Sequence, residues 1–564
     1  MKMPDYYDLE TKIEQMIDEL QGLCSTNGLS NTASEEVVVT SVFLYKFLND
    51  KFMYNLRKFA EEMEVGPEEV LANKNSYLDG FYDAYPQDVA FRKEDTIEEL
   101  SNQSLKPGFG KIFDDTLERI SNYPSNEKFK VETDEGTKEP LFTRITETVE
   151  KGKRDAFAQN IFSIITRDKF DFSPAYSTNF DFYSSIFEHL IKNYNVASGT
   201  YAEYFTPQAV SSIISKCLVH ISDIDDNKLY DIYDAAAGSG SLVLHLANEL
   251  GKGKFGNKAR IYTQDISQKS SRFLRINMML NGLTESLGNI VRGDTLLTPA
   301  QYNVKGDPAS GYRKFDFATI NPPFKMDFSS SRDEIEHNWQ DTDRFFAGIP
   351  KIPNKNKKSM AIYLCFIQHI LWSLKDNGKA AIVCPTGFLT AQYKTKGGKL
   401  TIEGAIRERL INNNWLQGTI SMPGNIFANT PTNVSVIFID KAKKDNQIVL
   451  VDASKLGEKR KEGKNQRTVL RKEEIEKIID TFTDKKVEDD FSVVVTPDEI
   501  KAKNYSFSAG QYFEVRIDYV EITEKQFEDR MSEYSERLSK LFSDGIKLES
   551  DIKRELEEIN YDNR

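Results

Sequence analysis

The second half of the chain alternates short apolar, strand-like runs with helix-like stretches, and this alternation constrains the fold more than any other feature. We predict strands at residues 229–234, 260–265, 289–294, 315–320, 379–385, 415–422 and 434–440. We predict helices between them, at residues 240–250, 267–281, 359–375 and 401–413. Such alternation is typical of an α/β fold with a mainly parallel sheet. Ligands of these sheets bind outside the carboxyl ends of the strands.

Composition divides the rest of the chain into further segments. Residues 35–59 carry apolar side chains at helical spacing without Pro or Gly, and residues 141–162 predict a second helical stretch. The C-terminal segment has apolar residues near heptad spacing, which fits a helix packed on a partner helix, with packing on the chain's own core as the alternative: Leu541, Leu548, Ile552, Leu556 and Ile559. The predicted domains are a helical N-terminal domain at 1–170, the α/β domain at 171–450, a charged loop-rich appendage at 451–518 and a C-terminal helical segment at 519–564.

The bulk composition is typical of a globular protein with a real core, since 39% of residues are hydrophobic and 29% are charged. No run approaches the roughly 20 apolar residues of a membrane-spanning helix, and the N-terminus lacks the apolar core of a signal peptide. We therefore expect a cytoplasmic protein without a membrane segment. The cysteines are scattered without a close pair, which argues against a zinc site: Cys24, Cys217, Cys365 and Cys384.

A glycine-containing turn, Asp234-Ala-Ala-Ala-Gly-Ser-Gly240, follows the first predicted strand and opens a helix. Gly238 and Gly240 let the backbone turn sharply and approach a ligand closely. The free N–H groups of the following helix can bind a carboxylate, while Asp234 can face the cationic end of a ligand. A purely structural turn, or another cofactor, explains this motif equally well when it stands alone.

Acidic residues also end the next two predicted strands. Asp265, followed by Ile266, suits hydrogen bonding to the ribose hydroxyls of an adenosine-containing cofactor. The alternative for Asp265 is a helix N-cap, since aspartate favours that position. Asp294 ends the third strand and could reach the amine of the cofactor's adenine, with a simple turn residue as its alternative.

Asn321-Pro322-Pro323-Phe324, directly after the strand at 315–320, carries the most specific chemistry. An exocyclic amine on an aromatic base is a poor nucleophile because its lone pair is delocalised into the ring. The side-chain oxygen of Asn321 and the carbonyl of Pro322 can accept its two N–H bonds and favour tetrahedral geometry. The two prolines fix the backbone that presents these acceptors. Phe324 offers a face on which a flipped-out base can stack, worth roughly 1–3 kcal/mol.

In this order, the glycine turn, the acidic residue and Asn-Pro-Pro-Phe resemble the amino-methyltransferases that use S-adenosylmethionine. More narrowly, the chain is similar to the methylation subunits of type I restriction–modification systems, from about residue 181 to its end and more loosely before that. Further segments carry the resemblance: Glu203-Tyr-Phe-Thr-Pro207, Asp343-Arg-Phe345, Gly348-Ile-Pro350, Gly378-Lys-Ala-Ala-Ile-Val-Cys-Pro385, Pro423-Gly-Asn-Ile-Phe427 and Tyr505-Ser-Phe-Ser-Ala-Gly-Gln-Tyr512.

The resemblance implies a Rossmann-like S-adenosylmethionine-dependent methyltransferase core that transfers methyl to the N6 amine of adenine in DNA, without a metal. Adenine would be held by Asn321, Pro322, Pro323 and Phe324. The residues expected to contact the cofactor are Tyr204, Phe205, Thr206, Pro207, Asp234, Ala237, Gly238, Ser239, Gly240, Asp265, Ile266, Asp294 and Asn321. The chain departs from the family's usual turn, Asp-Pro-Ala/Thr-Cys-Gly-Thr-Gly-Gly, at Ala235, Ser239 and Ser241.

The resemblance also implies a hetero-oligomer that acts on double-stranded DNA. Its other chains would be a subunit that recognises the DNA sequence and a further subunit that cuts, around two copies of this chain. The formal net charge of −13 fits this division of labour, because a protein that binds DNA alone is normally basic. The basic loops at 351–358 and 393–399 could touch the DNA backbone or simply be solvated. The rival functions are methylation of RNA or of a protein glutamine, and a non-catalytic assembly subunit.

Overall fold

The computed structural model describes residues 6–30, 32–73, 77–132, 138–176, 206–251, 258–304, 307–427, 433–462, 465–513 and 523–558. They divide into two compact units, Met1–Tyr512 and Phe513–Arg564. The helices of the N-terminal part are α1 (Tyr6–Thr26), α2 (Ala33–Glu62), α3 (Pro67–Ala72), α4 (Asp79–Ala84), α5 (Ile97–Ser101), α6 (Phe109–Ser121), α7 (Arg154–Ile165) and α8 (Ser173–Tyr176). A small antiparallel pair, β1 (Val131–Glu132) and β2 (Lys138–Glu139), accompanies them.

The N-terminal part is helical, as the apolar spacing predicted. The predicted helix at 35–59 lies within α2, which starts where the Thr32 side chain accepts a hydrogen bond from the Glu35 N–H at 3.2 Å. The stretch at 141–162 is only half as predicted, because its helix, α7, begins at Arg154. The residues before it form short 3-10 turns, and the backbone N–H of Thr146 in one of them donates to Asp114 of α6. A tertiary contact therefore replaces the expected helical turn.

The helices of the α/β part are α9 (Gln208–His220), α10 (Ser241–Leu250), α11 (Gln268–Leu280), α12 (Arg332–Trp339), α13 (Tyr363–Ser373), α14 (Gly387–Thr390), α15 (Ile402–Asn412), α16 (Lys472–Thr483) and α17 (Pro497–Ala502). Its strands are β3 (Tyr230–Asp234), β4 (Ala259–Asp265), β5 (Ile290–Arg292), β6 (Tyr302–Val304), β7 (Asp307–Tyr312), β8 (Phe315–Ile320), β9 (Leu374–Pro385), β10 (Leu416–Ser421), β11 (Val434–Asp440), β12 (Ile448–Asp452), β13 (Glu458–Glu462), β14 (Asn465–Val469) and β15 (Ser492–Val495).

Nine of these strands form one sheet in the order β15-β12-β10-β11-β9-β8-β3-β4-β5. The strands β3, β4, β5, β8, β9, β10 and β12 run in one direction, while β11 and β15 run against them. The sheet is therefore mixed, although its half from β9 to β5 is wholly parallel. Strands β3, β8 and β11 are buried along their whole length, as expected of strands covered on both faces.

The strand order reverses between β3 and β8. From β3 the chain moves outward to β4 and β5, and then returns to place β8 on the other side of β3. A reversal of this kind leaves a crevice outside the carboxyl ends of the two central strands, which is where α/β sheets bind ligands. Asp234 ends β3 and Asn321 follows β8, so both predicted motifs lie at this crevice.

The segment at 451–518 differs from the expected loop-rich appendage. Strands β12 and β15 extend the main sheet, while β13 and β14 form a separate hairpin. Helix α17 starts with a capping box, in which Thr496 and Glu499 satisfy each other's backbone N–H groups. The sequence did not predict these strands because the segment is highly charged and its strands are short. Their pairing partners also lie far along the chain.

Residues 513–564 contain helix α18 (Glu524–Glu558), 35 residues long. An apolar stripe with heptad-like spacing runs along it, and each of its residues is at least 49% exposed: Phe527, Met531, Tyr534, Leu538, Leu541, Leu548, Ile552 and Leu556. The predicted Ile559 lies outside the described residues. Within the described part of the chain, α18 and every other helix are too polar or too short to span a membrane.

Candidate active site

The glycine turn between β3 and α10 has the backbone geometry that its sequence predicted. Gly238 and Gly240 have φ values of +54° and +86°, in the left-handed region that favours glycine. Gly240 is also the N-cap of α10, where a Cβ atom would lie 2.2 Å from the Cδ1 of Leu274. Close packing of α11 on this turn therefore requires a glycine. Ala237 is buried and donates its N–H to the carbonyl of Gln264 at 3.4 Å.

Two buried carboxylates shape this turn. The Asp234 side chain, 1% exposed, accepts the N–H of Ala236 at 2.9 Å. The Asp265 side chain accepts the N–H of Gly238 at 2.8 Å through one oxygen and that of Ser267 at 2.8 Å through the other. Asp265 thus ties the end of β4 to the glycine turn. It is not the N-cap of α11, because Ser267 occupies that position and accepts from Ser270.

The electrostatics of the turn favour a cationic ligand. Burial raises the pKa of Asp234 well above its ordinary value, and the nearby Asp265 carboxylate raises it further. Burial likewise raises the pKa of Asp265. Neither carboxyl group forms an ion pair within the described ranges, so a positive charge brought to the crevice would favour their ionised forms and offset the cost of their burial. The sulfonium and ammonium groups of S-adenosylmethionine are cations that fit beside these two carboxylates.

The remaining predicted residues on this side lie at the same edge of the sheet. Asp294 comes two residues after β5 and accepts the N–H of Leu296 at 2.9 Å, so it forms the turn that was its structural alternative. The Ser239 hydroxyl is buried with no hydrogen-bond partner among the described residues, which leaves a polar atom in the turn for a ligand. Ile266 is 60% exposed beside Asp265. Contacts of these residues with the cofactor stay predictions.

Asn321 lies on the substrate side of the crevice. Its Nδ2 donates to the Oγ1 of Thr206 at 3.2 Å, which leaves the side-chain oxygen to accept from another group. Pro322 is buried, whereas Pro323 and Phe324 are half-buried. Part of the Phe324 side chain packs on the apolar core. The four residues thus form a short, anchored segment at the mouth of the crevice.

Thr206 joins the two sides of the site. Its hydroxyl holds Asn321, and its carbonyl accepts the hydroxyl of Ser241 at 3.2 Å. Ser241, one of the departures from the family's turn, also bonds to Ser211 on α9 at 2.8 Å. Pro207 is the N-cap of α9. The two other residues predicted to cap the cofactor, Tyr204 and Phe205, lie outside the described residues.

Arg344 is a site residue to which the sequence assigned no role. It is completely buried and donates to the carbonyls of Thr295 at 2.7 Å and Leu296 at 2.9 Å. These residues follow Asp294 directly, and the Thr295 hydroxyl donates to the carbonyl of Ala235 in the glycine turn at 2.7 Å. Burial lowers the pKa of Arg344 to about 10. Arg344 therefore fixes the loop after β5 against the loop after β3.

A buried histidine completes this network. The Nε of Arg344 donates to the Nδ1 of His369 at 3.1 Å, so the proton of the imidazole resides on Nε2. That nitrogen lies 2.9 Å from the hydroxyl of Tyr233, the neighbour of Asp234. Burial, together with the charge of Arg344, lowers the pKa of His369 well below its ordinary value. The Asp-Arg-Phe segment marked the location, but nothing in the sequence showed that its arginine turns inward.

Comparison with known proteins agrees with this geometry. The family model for N-6 DNA methylases matches residues 178–518. The type I restriction enzyme MpnII methylase subunit of Mycoplasma pneumoniae is 27% identical over 571 residues, which cover 98% of this chain and 98% of that protein. The MjaIX methylase subunit of Methanocaldococcus jannaschii is 28% identical over 397 residues, which cover 68% of this chain and 64% of the relative.

A solved structure shares the fold. The methyltransferase subunit of a type I restriction–modification system from Streptococcus thermophilus has a TM-score of 0.66 at 21% identity, covering 90% of this chain and 100% of that one. The expected α/β methyltransferase core with a helical N-terminal part is thus confirmed. The chain belongs to the N-6 DNA methylase family, the S-adenosylmethionine-dependent enzymes that methylate adenine in DNA.

Proposed function

We propose that this chain is the modification subunit of a type I restriction–modification complex and methylates the N6 amine of an adenine flipped out of double-stranded DNA. The position of Asn321 carries the proposal. It follows β8 at the strand-order reversal, and its side chain is oriented by Thr206 at 3.2 Å. A base in this position would lie across the crevice from the carboxylates of Asp234 and Asp265.

The residues on the two sides of the crevice have separate tasks. When bound, S-adenosylmethionine supplies a methyl group activated by its positive sulfur. Asp234 and Asp265 would hold its cationic end, and Asp265 its ribose. The side-chain oxygen of Asn321 and the carbonyl of Pro322 would accept the N–H bonds of adenine, which favours a nucleophilic lone pair. Phe324 would stack on the base, which restricts its orientation.

Transfer of labelled methyl to unmodified DNA tests this function. The chain is isolated with the chains that accompany it in its native cell and supplied with S-adenosylmethionine. We expect N6-methyladenine, formed only when a partner chain that recognises sequence is present. Product on RNA or on a protein glutamine, with none on DNA, would contradict the proposal. Failure to bind the cofactor would indicate an assembly subunit.

The apolar stripe of α18 supports a partner subunit. A row of exposed apolar side chains along 35 helical residues is unfavourable in water unless another helix covers it. We propose that the sequence-recognition subunit covers this stripe, in a complex with two copies of this chain and, in its restricting form, a nuclease subunit. The acidic net charge of −13 agrees with DNA contacts made mainly by that partner, and cytoplasmic location follows from this role.

Two matched double variants test the role of α18. Leu541→Glu with Leu548→Glu places charges in the stripe, whereas Lys540→Glu with Lys547→Glu alters neighbouring residues outside it. We expect the first variant, and the deletion of residues 533–564, to lose co-purification with the partner chain. The lysine variant should retain the partner. Equal retention by both double variants would show that α18 does not bind the partner.

A further inference from the structure

The exposed surface on the substrate side of the crevice is basic, in a chain that is acidic as a whole. Between Asp343 and Glu403 the sequence has a single acidic residue, Asp376, although the chain contains 87 aspartates and glutamates. Asp376 lies near the start of β9, at the opposite edge of the sheet. The exposed lysines of this region lie in two loops: Lys351, Lys355, Lys357 and Lys358 in the lysine loop, residues 351–358, and Lys394, Lys396 and Lys399 in the 393–399 turn.

The lysine loop is held beside the segment that would bind adenine. After its last lysine, the carbonyl of Met360 accepts the N–H of Met326 at 3.1 Å. Before its first lysine, the carbonyl of Pro350 accepts from the Nε of Arg332 at 3.3 Å. Met326 follows Phe324 by two residues. Both ends of the lysine loop are therefore attached to the chain that continues directly from Asn-Pro-Pro-Phe.

The 393–399 turn lies at the same edge of the sheet. It follows the carboxyl end of β9, which runs parallel to β8 beside it. A hydrogen bond of 2.8 Å from the N–H of Thr395 to the carbonyl of Lys399 closes the turn. The rings of Tyr363 and Phe388 meet edge to face with centroids 6.1 Å apart, so the start of α13 packs on α14. Because the lysine loop precedes α13 and the turn follows α14, the two loops lie on the same side of the crevice.

The lysines of the two loops form no ion pair with any residue in the described part of the chain. Asp327 is close enough to Lys357 and Lys358 to feel their charges, but hydrogen bonds within its own turn lower its pKa more than the lysines do. Lysines elsewhere on the surface do pair, as Lys138 does with Glu127 at 3.0 Å. The amines beside the crevice therefore remain available to an anion from outside the described chain.

A flipped adenine would bring such anions to this surface. With its amine at Asn321 and its ring on Phe324, the base can enter the crevice only from the solvent side. Its sugar and the flanking phosphates then stay outside, near the chain that holds the lysine loop. Each phosphate carries a single negative charge, which an exposed lysine can neutralise with release of a counterion.

We propose that the lysine loop and the 393–399 turn bind the phosphate backbone of double-stranded DNA beside the flipped adenine. The inference rests on the proposed function, because it takes DNA as the substrate and adds a contact made by this chain itself. Phosphates fit the observations better than an acidic protein surface does, because both loops border the place where the base must enter. The contact positions the duplex without reading its sequence.

The salt dependence of DNA binding tests each loop. The full complex is titrated with DNA at several salt concentrations, unaltered and with one of two double variants. Lys351→Gln with Lys355→Gln alters the lysine loop, and Lys396→Gln with Lys399→Gln alters the turn. Each lost phosphate contact lowers the slope of log Kd against log salt by about 1, so we expect a decrease of about 2 for each double variant.

The matched control is Lys444→Gln with Lys485→Gln, which removes the same charge at the opposite edge of the sheet. Lys444 comes shortly before β12, and the Nζ of Lys485 lies 2.7 Å from the carboxylate of Asp445 in the same connection. Because β12 runs in the direction of β8, its start lies away from the crevice. The control should keep the full salt slope. An equal decrease in the control would overturn the inference, since any loss of positive charge would then have the same effect.

The outcomes separate this inference from the proposed function. If the unaltered complex neither binds nor methylates DNA, both proposals fail together. If it methylates DNA while a loop variant keeps the full salt slope, the contact assigned to that loop is overturned and the proposed function stands. Loss of the partner chain from a loop variant, with an unchanged slope, would show that the loop binds protein instead. A reduced slope with unaltered affinity for S-adenosylmethionine supports the DNA contact.

Discussion

The two sides of the crevice are built differently. On the β3–β4 side, the carboxylates of Asp234 and Asp265 are buried and already accept backbone N–H groups within the protein. On the β8 side, Asn321 and Phe324 are half-buried, and the Asn321 side-chain oxygen accepts no hydrogen bond from the described residues. The first side is therefore organised before any ligand arrives, whereas the second is completed only by a substrate.

This difference predicts separate consequences for cofactor binding and for catalysis. Preorganised buried groups contribute mainly to affinity and to the stability of the fold. A half-buried acceptor with no partner among the described residues contributes mainly in the transition state, where its hydrogen bond strengthens. Thr206 links the two sides, because it contacts both Asn321 and Ser241.

The largest effect is expected for Asn321→Ala on the substrate side. Removing one acceptor that acts in the transition state should lower methyl transfer by a factor on the order of 10²–10³. The affinity for S-adenosylmethionine should stay nearly unchanged, because the carboxylate side of the crevice is intact. Single-turnover transfer to DNA and calorimetric cofactor binding measure the two quantities. Normal transfer by this variant would contradict the proposed mechanism.

Arg344→Lys should separate positioning from general stability. Lysine keeps the charge but cannot bond to both carbonyls and His369, so buried acceptors are left unpaired at about 1–3 kcal/mol each. We expect a lower thermal midpoint and weaker cofactor binding, because the loops after β3 and β5 lose their link.

The matched control is Arg407→Lys. Arg407 is equally buried and donates to the carbonyl of Phe388 at 2.8 Å, in the segment that follows β9. This variant should lower the thermal midpoint while leaving cofactor affinity unchanged. Equal losses of cofactor affinity in the two variants would show that Arg344 has only a structural role.

Gly240→Ala tests the close packing of the glycine turn. A left-handed conformation costs a non-glycine residue about 1–2 kcal/mol, and contact with Leu274 adds about 1–3 kcal/mol of overpacking. Gly282→Ala is the control, since it has a φ of +71° but nothing within 4 Å of an added Cβ atom. Thermal unfolding should show the larger loss for Gly240→Ala. Equal losses of stability in the two variants would mean that α11 moves away from the added Cβ atom without a measurable free-energy cost.

Asp265→Ala should have the smallest effect, a decrease in cofactor affinity on the order of tenfold, or about 1.4 kcal/mol. Transfer at saturating cofactor should change little, because the substrate side is untouched. Equilibrium binding and the rate at saturation give these values. Unchanged affinity would mean that Asp265 serves only to hold Gly238 and Ser267.

The same carboxylates give the binding a pH dependence. Burial raises the pKa of Asp234 and of Asp265 in the free protein, so both side chains keep their protons to a higher pH than an ordinary aspartate does. A bound cation favours the ionised form and lowers these pKa values again. Cofactor binding should therefore release protons and strengthen as the pH rises above the ordinary aspartate range. Calorimetry in two buffers of different ionisation enthalpy measures this release, which Asp265→Asn should reduce.

The sequence predicted much of the site because its determinants are local. The strands at 315–320 and 434–440 were predicted to the residue, and the sharp turn predicted at Gly238 and Gly240 is present, with both glycines in the left-handed region. Proline and glycine restrict the backbone by sterics within a few residues, so their effects are readable without the fold. Prediction was weaker where a segment depends on distant partners, as in β12 and β15.

By itself, the sequence determined which strand-like runs end in polar residues at a turn: Asp234 and Asp265 end such runs, and Asn321 directly follows one. The tertiary structure alone decided that the strand order reverses between β3 and β8, and that Arg344 turns inward to join two loops. The physical reason is distance along the chain. Local sterics act between neighbours, whereas burial and hydrogen bonding across the sheet depend on residues that meet only after folding.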